Sequence, residues 1–420
     1  MKWPEGWSLH ILGGLCKFQR GLTYGKSDEV ASSSNVVLRA NNVDLQSHEL
    51  DLSELKFISD RVVIPPGKRV QPGALLICMA SGSKTHLGKV AFIDEDYGFA
   101  FGGFMGQVVP CNTVDGRYLF YTLTSGRYKR FIADLSDGVN INNLKFDDLE
   151  QFPVPLPPLP EQRRIVAILD EAFEAIATAK ANTERNLENA REWGARELTL
   201  ALEARSVGGG SNALERLVDP SCTLSYGIVQ PGNDVPGGLP IVRPTDLGTK
   251  LVGPKGLKRI DPALARSYAR TTLQGGDLLL CVRGTTGTVS IAETALGGAN
   301  VTRGIVPIRF DRKLISQILG YYLLRSEPVQ AQIRSKTYGT ALMQINIADL
   351  RQIVLRYPPT EEQDGVVEQL NFIQDASDRL AAHYGCKLTA LDELKQSLLH
   401  QAFTGALTSK STDQQLQAVA

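Results

Sequence analysis

Two kinds of hydrophobic pattern alternate along this chain. In the first kind, short apolar runs are separated by Gly, Pro, Asn and Asp, as in RVVIPPG, GALLICMA and KVAFID, and later in DLLLCVRG, TVSIAE and GIVPIRF. Runs this short, bounded by turn formers, predict strands and loops. Near the end of each such region, GRYLFYTLTSGRYKRFIADL and LISQILGYYLLRSEPVQAQI carry aromatic and aliphatic residues at steps of three and four, which predicts one helical stretch in each. Each globular part therefore mixes α and β.

The second kind is a long stripe. After Glu161 it runs through Ile165, Leu169, Ala172, Ile176, Ala179, Thr183, Leu187, Ala190, Gly194, Leu198 and Ala201. After Glu362 it runs through Val366, Leu370, Ile373, Ser377, Leu380, Tyr384, Leu388, Leu391, Lys395 and Leu398, flanked by Leu394 and Leu399. Both are helical, and the prolines just upstream mark their starts. At ~1.5 Å per residue each is a rod of roughly 60 Å. A rod that long cannot bury its stripe alone, and the economical partner is the other rod. Antiparallel packing would carry the two globular parts to opposite ends. SVGGGSN, at 206–212, is a flexible connection between the repeats.

The two halves also align with each other at an offset of 201 to 204 residues. Tyr24-Gly25 matches Tyr226-Gly227, Arg39 matches Arg243, Cys78 matches Cys281, and Ile141-Asn142 matches Ile345-Asn346. PLPPLPEQ, ending in Glu161-Gln162, matches RYPPTEEQ, ending in Glu362-Gln363. Matches that keep their order over such a distance mean a duplicated unit rather than a short solenoid repeat.

Length and composition fit several soluble domains: 420 residues, 43% hydrophobic and 21% charged. Forty-five basic residues cancel forty-five acidic ones, so charge has to be read locally. Residues 213–356 carry 18 basic and 10 acidic residues, as expected of a polyanion-binding surface, whereas residues 1–150 carry 16 and 17. In the first region the basic groups cluster as Lys17, Arg20 and Lys26, as Lys84 and Lys89, and as Arg127, Lys129 and Arg130. Six widely spaced cysteines suggest neither a zinc knuckle nor a disulfide framework. With no signal-like start and no apolar run long enough to span a bilayer, the reading is a cytoplasmic protein with no membrane association.

Catalytic constellations are not recognisable. SGSKTHLG lacks the upstream glycine of a phosphate loop, and Ser83 precedes Lys84 where that motif has Gly. The five histidines show no metalloprotease spacing, and there is no G-x-S-x-G elbow. The NPPF-like or DPPY-like tetrapeptide of adenine methyltransferases is missing too.

PLPPLPEQRRIVAILDEAFEAIA, its echo RYPPTEEQDGVVEQLNFIQDA, and ELKQSLLHQAFTGAL resemble the specificity subunit of a type I restriction-modification system. The opening WPEGWSLHILGG and the later GTTGTVSIA resemble parts of that family's recognition domains, and the resemblance covers nearly the whole length. It implies an α+β chain with two mixed target-recognition domains in tandem, separated by two long antiparallel helices. Residues 1–155 form the first domain, 156–205 the first long helix, 206–357 the second domain, 358–408 the second long helix, and 409–420 a flexible tail. The resemblance further implies a non-catalytic DNA-recognition subunit that reads a bipartite duplex target. It would direct two methyltransferase subunits and restriction subunits to that target, with S-adenosylmethionine, ATP and Mg held by those partners and no cofactor or metal by this chain.

Base reading needs donors and acceptors at groove edges, most often Arg for guanine and Asn or Gln for adenine. Loops at matching places in both heads supply them. The second head offers Arg243, Arg283, Thr285, Thr286, Arg303, Tyr338, Gln344 and Asn346; the first offers Arg39, Lys84, Thr85, Asn140 and Asn142. Gly82, Gly284, Gly287 and Gly339 allow close turns between them. Two readings from other classes stay open: a two-headed scaffold binding protein or carbohydrate, and an enzyme with an unfamiliar site. Within the family, a specificity subunit serving methylation without restriction fits equally well.

Overall fold

The computed structural model describes residues 3–137, 143–340 and 342–409, with the backbone alone for Lys84, Ser136 and Asp137. Two long helices dominate the sequence order, Leu159–Arg205 and Gln363–Thr404. The chain divides into two compact units, and the division falls inside both helices. Unit 1 takes the chain up to Asn182 and resumes at Lys387, while unit 2 is Thr183–Cys386.

In unit 1 a four-stranded antiparallel sheet runs in the order Cys16–Arg20, Met105–Pro110, Leu75–Cys78, Val90–Phe92. A second sheet joins Glu29–Val30, Lys56–Ile58, Asn35–Leu38 and Ala100–Phe101, the last pair parallel. The central strands Leu75–Cys78 and Asn35–Leu38 are buried at every position, which is why they read as continuous apolar runs rather than alternating ones. Unit 2 keeps three consecutive strands of the first sheet but adds its fourth, Leu251–Val252, in parallel at the opposite edge. Leu251–Val252, Val289–Ala292, Leu278–Cys281 and Ile305–Ile308 form one sheet, and Lys258–Ile260, Leu239–Val242 and Asn300–Val301 the other. Fold class is therefore α+β, two mixed domains in tandem, as the sequence predicts.

The single helical stretch expected in each head is two helices. Gly116–Thr124 and Gly126–Asp137 are separated at Ser125, and Gln317–Arg325 and Glu327–Ser335 at Ser326. Both serines are extended, and their hydroxyls donate to the carbonyls of Thr122 and Leu323 at 2.7 Å. Apolar spacing continues across the break and hides it; the serine that ends one helix and opens the next is the local signal.

Within each unit, segments of both long helices pack antiparallel. In unit 1 Lys180 Nζ meets Asp392 Oδ1 at 2.7 Å, Lys395 lies over the Phe173 ring, and Thr408 donates to Glu161. In unit 2 Ser377 Oγ donates to the Ala190 carbonyl at 3.1 Å, and Leu198, Leu202, Val366 and Leu370 share one core. No stripe residue of the first helix is exposed. The second stripe needs correcting: Leu380 faces solvent, as does the flanking Leu394, and the inward line steps by four from Ser377 to the half-buried Ala381. It also continues past Leu398 to Ala402 and Phe403.

The EQ junctions explain how the helices are fastened to the heads. Gln162 is fully buried: its Oε1 accepts from the Asp115 N–H at 2.8 Å, and its Nε2 donates to the carbonyls of Thr113 (3.1 Å) and Pro157 (2.9 Å). Asp115 in turn caps the helix Gly116–Thr124. Gln363 does the same for Ser316, the cap of Gln317–Arg325, and for Leu314 and Pro358. One side chain thus satisfies three backbone groups that burial would otherwise leave unpaired.

His48 shows the same economy in unit 1. Its Nδ1 is 3.2 Å from the Val90 carbonyl and its ring meets Phe120 edge-on. Burial first, then Lys129, pushes its pKa down from 6.5 to about 4, with Lys395 adding to that and Asp44 opposing it. The imidazole is neutral in the folded chain but takes up a proton when unfolded below 6.5, so His48 erodes stability as pH falls from about 6.5 to about 4. Replacing His48 by Gln is expected to flatten that part of the stability curve, measured by urea titration at successive pH values; an unchanged acid limb would count against it.

Candidate nucleic-acid interface

In unit 2, residues scattered over 120 positions of sequence converge at the end of the strand Leu278–Cys281. Arg283 pairs with Gln344 as an antiparallel bridge, and Tyr338 pairs with Gln344 through two backbone hydrogen bonds of 2.9 Å. The Met343 carbonyl accepts from the Gly284 N–H at 2.8 Å and from Thr286 Oγ1 at 3.2 Å. Tyr226 donates from its hydroxyl to the Ile345 carbonyl at 3.2 Å. Burial and Tyr338 raise the Tyr226 phenol, and Arg303 opposes them, which puts all three in one electrostatic neighbourhood. Gly284, Gly287 and Gly339 have φ of 93°, 95° and 116°, values that glycine adopts without strain; Gly82 is not among the positive-φ residues.

The chemistry of this cluster suits a groove edge. Arg303 is exposed, Arg283 is half-buried, and among the described residues neither has a carboxylate partner. Thr285 is exposed, with a weak contact to Cys281 Sγ at 3.5 Å. Behind the loop, a cleft of about 400 Å³ is lined by Thr286, Gly287, Lys250 and Arg325. Lys250 meets Tyr322 and Asn371, and Arg325 meets Tyr321 and Gln374, so both cations rest on neutral partners.

Two residues named from sequence are occupied otherwise. Arg243 grips Asp246 through Nε (3.1 Å) and an Nη (2.8 Å), and that ion pair raises its pKa further. Asn346 caps the helix Ile347–Arg351, accepting from the Asp349 N–H at 2.8 Å. Both side chains are held by their own turns.

In unit 1 the corresponding loop is longer. Gly88 donates to the Cys78 carbonyl as Gly287 does to that of Cys281, leaving residues 79–87 between them where unit 2 has 282–286. Thr85 is exposed and its hydroxyl is 2.8 Å from that of Ser83. Lys84 begins a short 3-10 turn. Asn140 and Asn142 lie outside the described residues. Lys89 adds nothing to a positive face: it is buried, with Nζ donating to the Val43 carbonyl at 2.6 Å.

Arg39 and Arg243 do occupy matching places, each preceding a 3-10 turn that ties back to its own N–H. Unit 1, however, has Asn42 where unit 2 has Asp246. The Arg39 guanidinium therefore has no carboxylate on its turn, and its buried Nε has no hydrogen-bond partner among the described residues. The pairing of Tyr24-Gly25 with Tyr226-Gly227 is overturned. Gly21 is the counterpart of Gly227, because the residue after each, Leu22 or Ile228, donates to the matching strand carbonyl, that of Phe101 (2.7 Å) or Val301 (2.8 Å), and each glycine abuts that strand so closely that a Cβ would come within about 2.5 Å of a backbone carbonyl carbon. Gly25 instead donates to Asp28.

Two tandem domains of this kind, joined by antiparallel helices, define the class. The type I restriction modification DNA specificity domain matches residues 4–189 and again 235–379, so the chain belongs to that family and is a specificity subunit. It is 26% identical to the type I restriction enzyme StySPI specificity subunit of Salmonella potsdam and 24% identical to the EcoKI specificity subunit of Escherichia coli. Each of these alignments covers 97% of this chain and 91% of the relative. Among solved structures, a chain from work on complex assembly and conformational transition of the type I R-M system superposes with a TM-score of 0.71 at 20% identity, covering 97% of this chain and all of that one. The HsdS subunit from Thermoanaerobacter tengcongensis gives 0.55 at 18% identity, over 97% and 99%. None of these comparisons supports the two-headed protein- or carbohydrate-binding scaffold.

Proposed function

We propose that this chain reads a bipartite duplex DNA target, one half-site per domain, and directs methyltransferase and restriction partners to it. The observation that carries this is the convergence of Arg283, Thr285, Thr286, Arg303, Tyr338 and Gln344 on one loop cluster of a domain with 18 basic and 10 acidic residues. Two methyltransferase subunits, one per domain, fit the duplication. Catalysis, and with it S-adenosylmethionine, ATP and Mg, belongs to the partners. Among the described residues there is no group of three acidic, His or Cys side chains placed to hold a metal ion. Among the described residues no helix is long and apolar enough to cross a membrane, and a cytoplasmic complex is the setting proposed.

Methylated bases mapped in host DNA should form one split motif that disappears when this chain is deleted. Arg283→Ala should weaken or relax one position of the second half of that motif, by about 1 to 3 kcal/mol for a bidentate base contact, and leave the first half unchanged. Methylation that persists without the chain would overturn the function; an unaltered motif in Arg283→Ala would remove that residue from the interface.

A further inference from the structure

The first domain has little net charge with which to hold DNA, yet it presents an unusual side chain at the same loop cluster. Phe104 is 73% exposed. Its backbone is pinned: the Phe104 carbonyl accepts from the N–H groups of Met79 (2.9 Å) and Ala80 (3.1 Å), and Met105 donates to Gly102 at 2.8 Å to close the turn. Gly102 donates to the Leu38 carbonyl, and Met105, the next residue, is fully buried. The turn that carries the ring is thus fixed in place, with the ring standing in water. Covering a phenylalanine is worth about 1.5 to 3 kcal/mol, so leaving it bare on a fixed backbone is a standing cost unless something covers it.

Its surroundings indicate what does. Gly102 also packs along Arg39, whose Cγ is 3.9 Å from where a Gly102 Cβ would stand, so a cation with no carboxylate on its own turn lies beside this one. In unit 2 the Val282 N–H donates to Gly304 as Met79 does to Phe104, so Gly304 holds the matching place and offers no side chain there. Apolar bulk comes instead from Leu342 and Met343, 45% and 43% exposed, with the Met343 carbonyl tied to Gly284 and Thr286 and with Arg283 on the same loop. The two domains thus arrive by different residues at one arrangement: a large apolar group on a backbone fastened to the loop after the central strand, with an arginine close by. An apolar wedge flanked by cations is the device by which proteins part a base step while holding the phosphates beside it.

Resting on the DNA-reading function above, we propose that Phe104 is a wedge that enters the base stack of the first half-site. It lets a nearly neutral domain bind through stacking and desolvation rather than through phosphate neutralisation. Base–aromatic stacking of about 1 to 3 kcal/mol corresponds to roughly 5- to 150-fold in affinity.

The test uses the full chain assembled with its methyltransferase partner, and duplexes of the mapped motif carrying 2-aminopurine at each step of the first half-site in turn. One step should brighten severalfold on binding. Phe104→Ala should abolish that signal, weaken binding about 10- to 100-fold and keep the slope of affinity against salt, because no phosphate contact is lost. Phe104→Leu should restore part of both, and Arg39→Ala should flatten the salt slope by about one. Unchanged affinity and fluorescence in Phe104→Ala overturn the wedge. So does loss of the methyltransferase from Phe104→Ala preparations, which would mean that a protein surface covers the ring. A wild-type complex with no affinity for the duplex would instead sink the DNA-reading function itself, a result distinct from either.

Discussion

Gln162→Ala is expected to destabilise unit 1 by about 3 kcal/mol, because it leaves the Asp115 N–H and the carbonyls of Thr113 and Pro157 buried without partners, at about 1 to 3 kcal/mol for each group that water does not reach. Gln162→Glu should be worse near neutral pH. A carboxylate oxygen would then face the two carbonyls to which Nε2 now donates, and burial would add the cost of a charge. The sign of its pH dependence follows: the buried carboxyl has its pKa raised above the unfolded value, so the stability deficit shrinks as pH falls and the group protonates. Calorimetric unfolding at pH 5 and pH 7 checks both variants. If Gln162→Ala melts with the wild type, or the Glu variant loses more stability at pH 5 than at pH 7, the clamp is not what fastens helix to head.

Gly194→Leu is expected to cost about 2 to 4 kcal/mol in unit 2, although leucine is the better helix former. A Cβ at position 194 would stand 2.6 Å from that of Ser377, and the serine backbone is fixed by its own helix. Ser377 also donates to the Ala190 carbonyl, so the small residues Ala190, Gly194 and Ser377 define the closest approach of the two helices in this unit. Gly194→Ala should show the same fault to a lesser degree. Combining it with Ser377→Gly should return stability to within about 1 kcal/mol of the wild type, because the glycine has only changed helices. Equal melting of the single and double variants would mean the helices separate without penalty.

These two expectations come from different levels of legibility. The EQ of each junction stands out in the sequence as punctuation before a helix, but nothing in PLPPLPEQ says that the glutamine is buried or that it reaches back to Asp115. Its three partners are 5, 47 and 49 residues away. Gly194 reads as a weakness in a helical stripe, and only the neighbouring helix turns it into a contact. The Ser377 to Ala381 step was hidden for a related reason: Leu380 is more apolar than Ala381, yet the helix turns the alanine inward.

The interface divides in the same way. Arg283, Thr285, Thr286, Arg303, Tyr338 and Gln344 were found because polar residues on glycine-rich loops at duplicated positions suggest binding. Arg243 looked identical in kind, and the difference is a carboxylate three residues on whose hydrogen bonds sequence alone does not reveal. Phe104 was missed although FGGFMG places a phenylalanine after two glycines between strands, because an aromatic in such a context is ordinarily buried.

From the sequence alone came the duplication, the mixed α and β composition of each domain, the two long helices and the loops that carry polar chemistry. These depend on periodicity, turn formers and repetition, which are local along the chain. Tertiary structure decided which arginine is free and which is spent, where Gly21 replaces Gly25 as the close-approach residue, how glutamine fastens helix to head, and which apolar side chains are left in water. Each of those depends on what stands across a gap of tens to hundreds of residues, and hydrogen-bond partners and van der Waals neighbours at that separation leave no periodic trace in the chain.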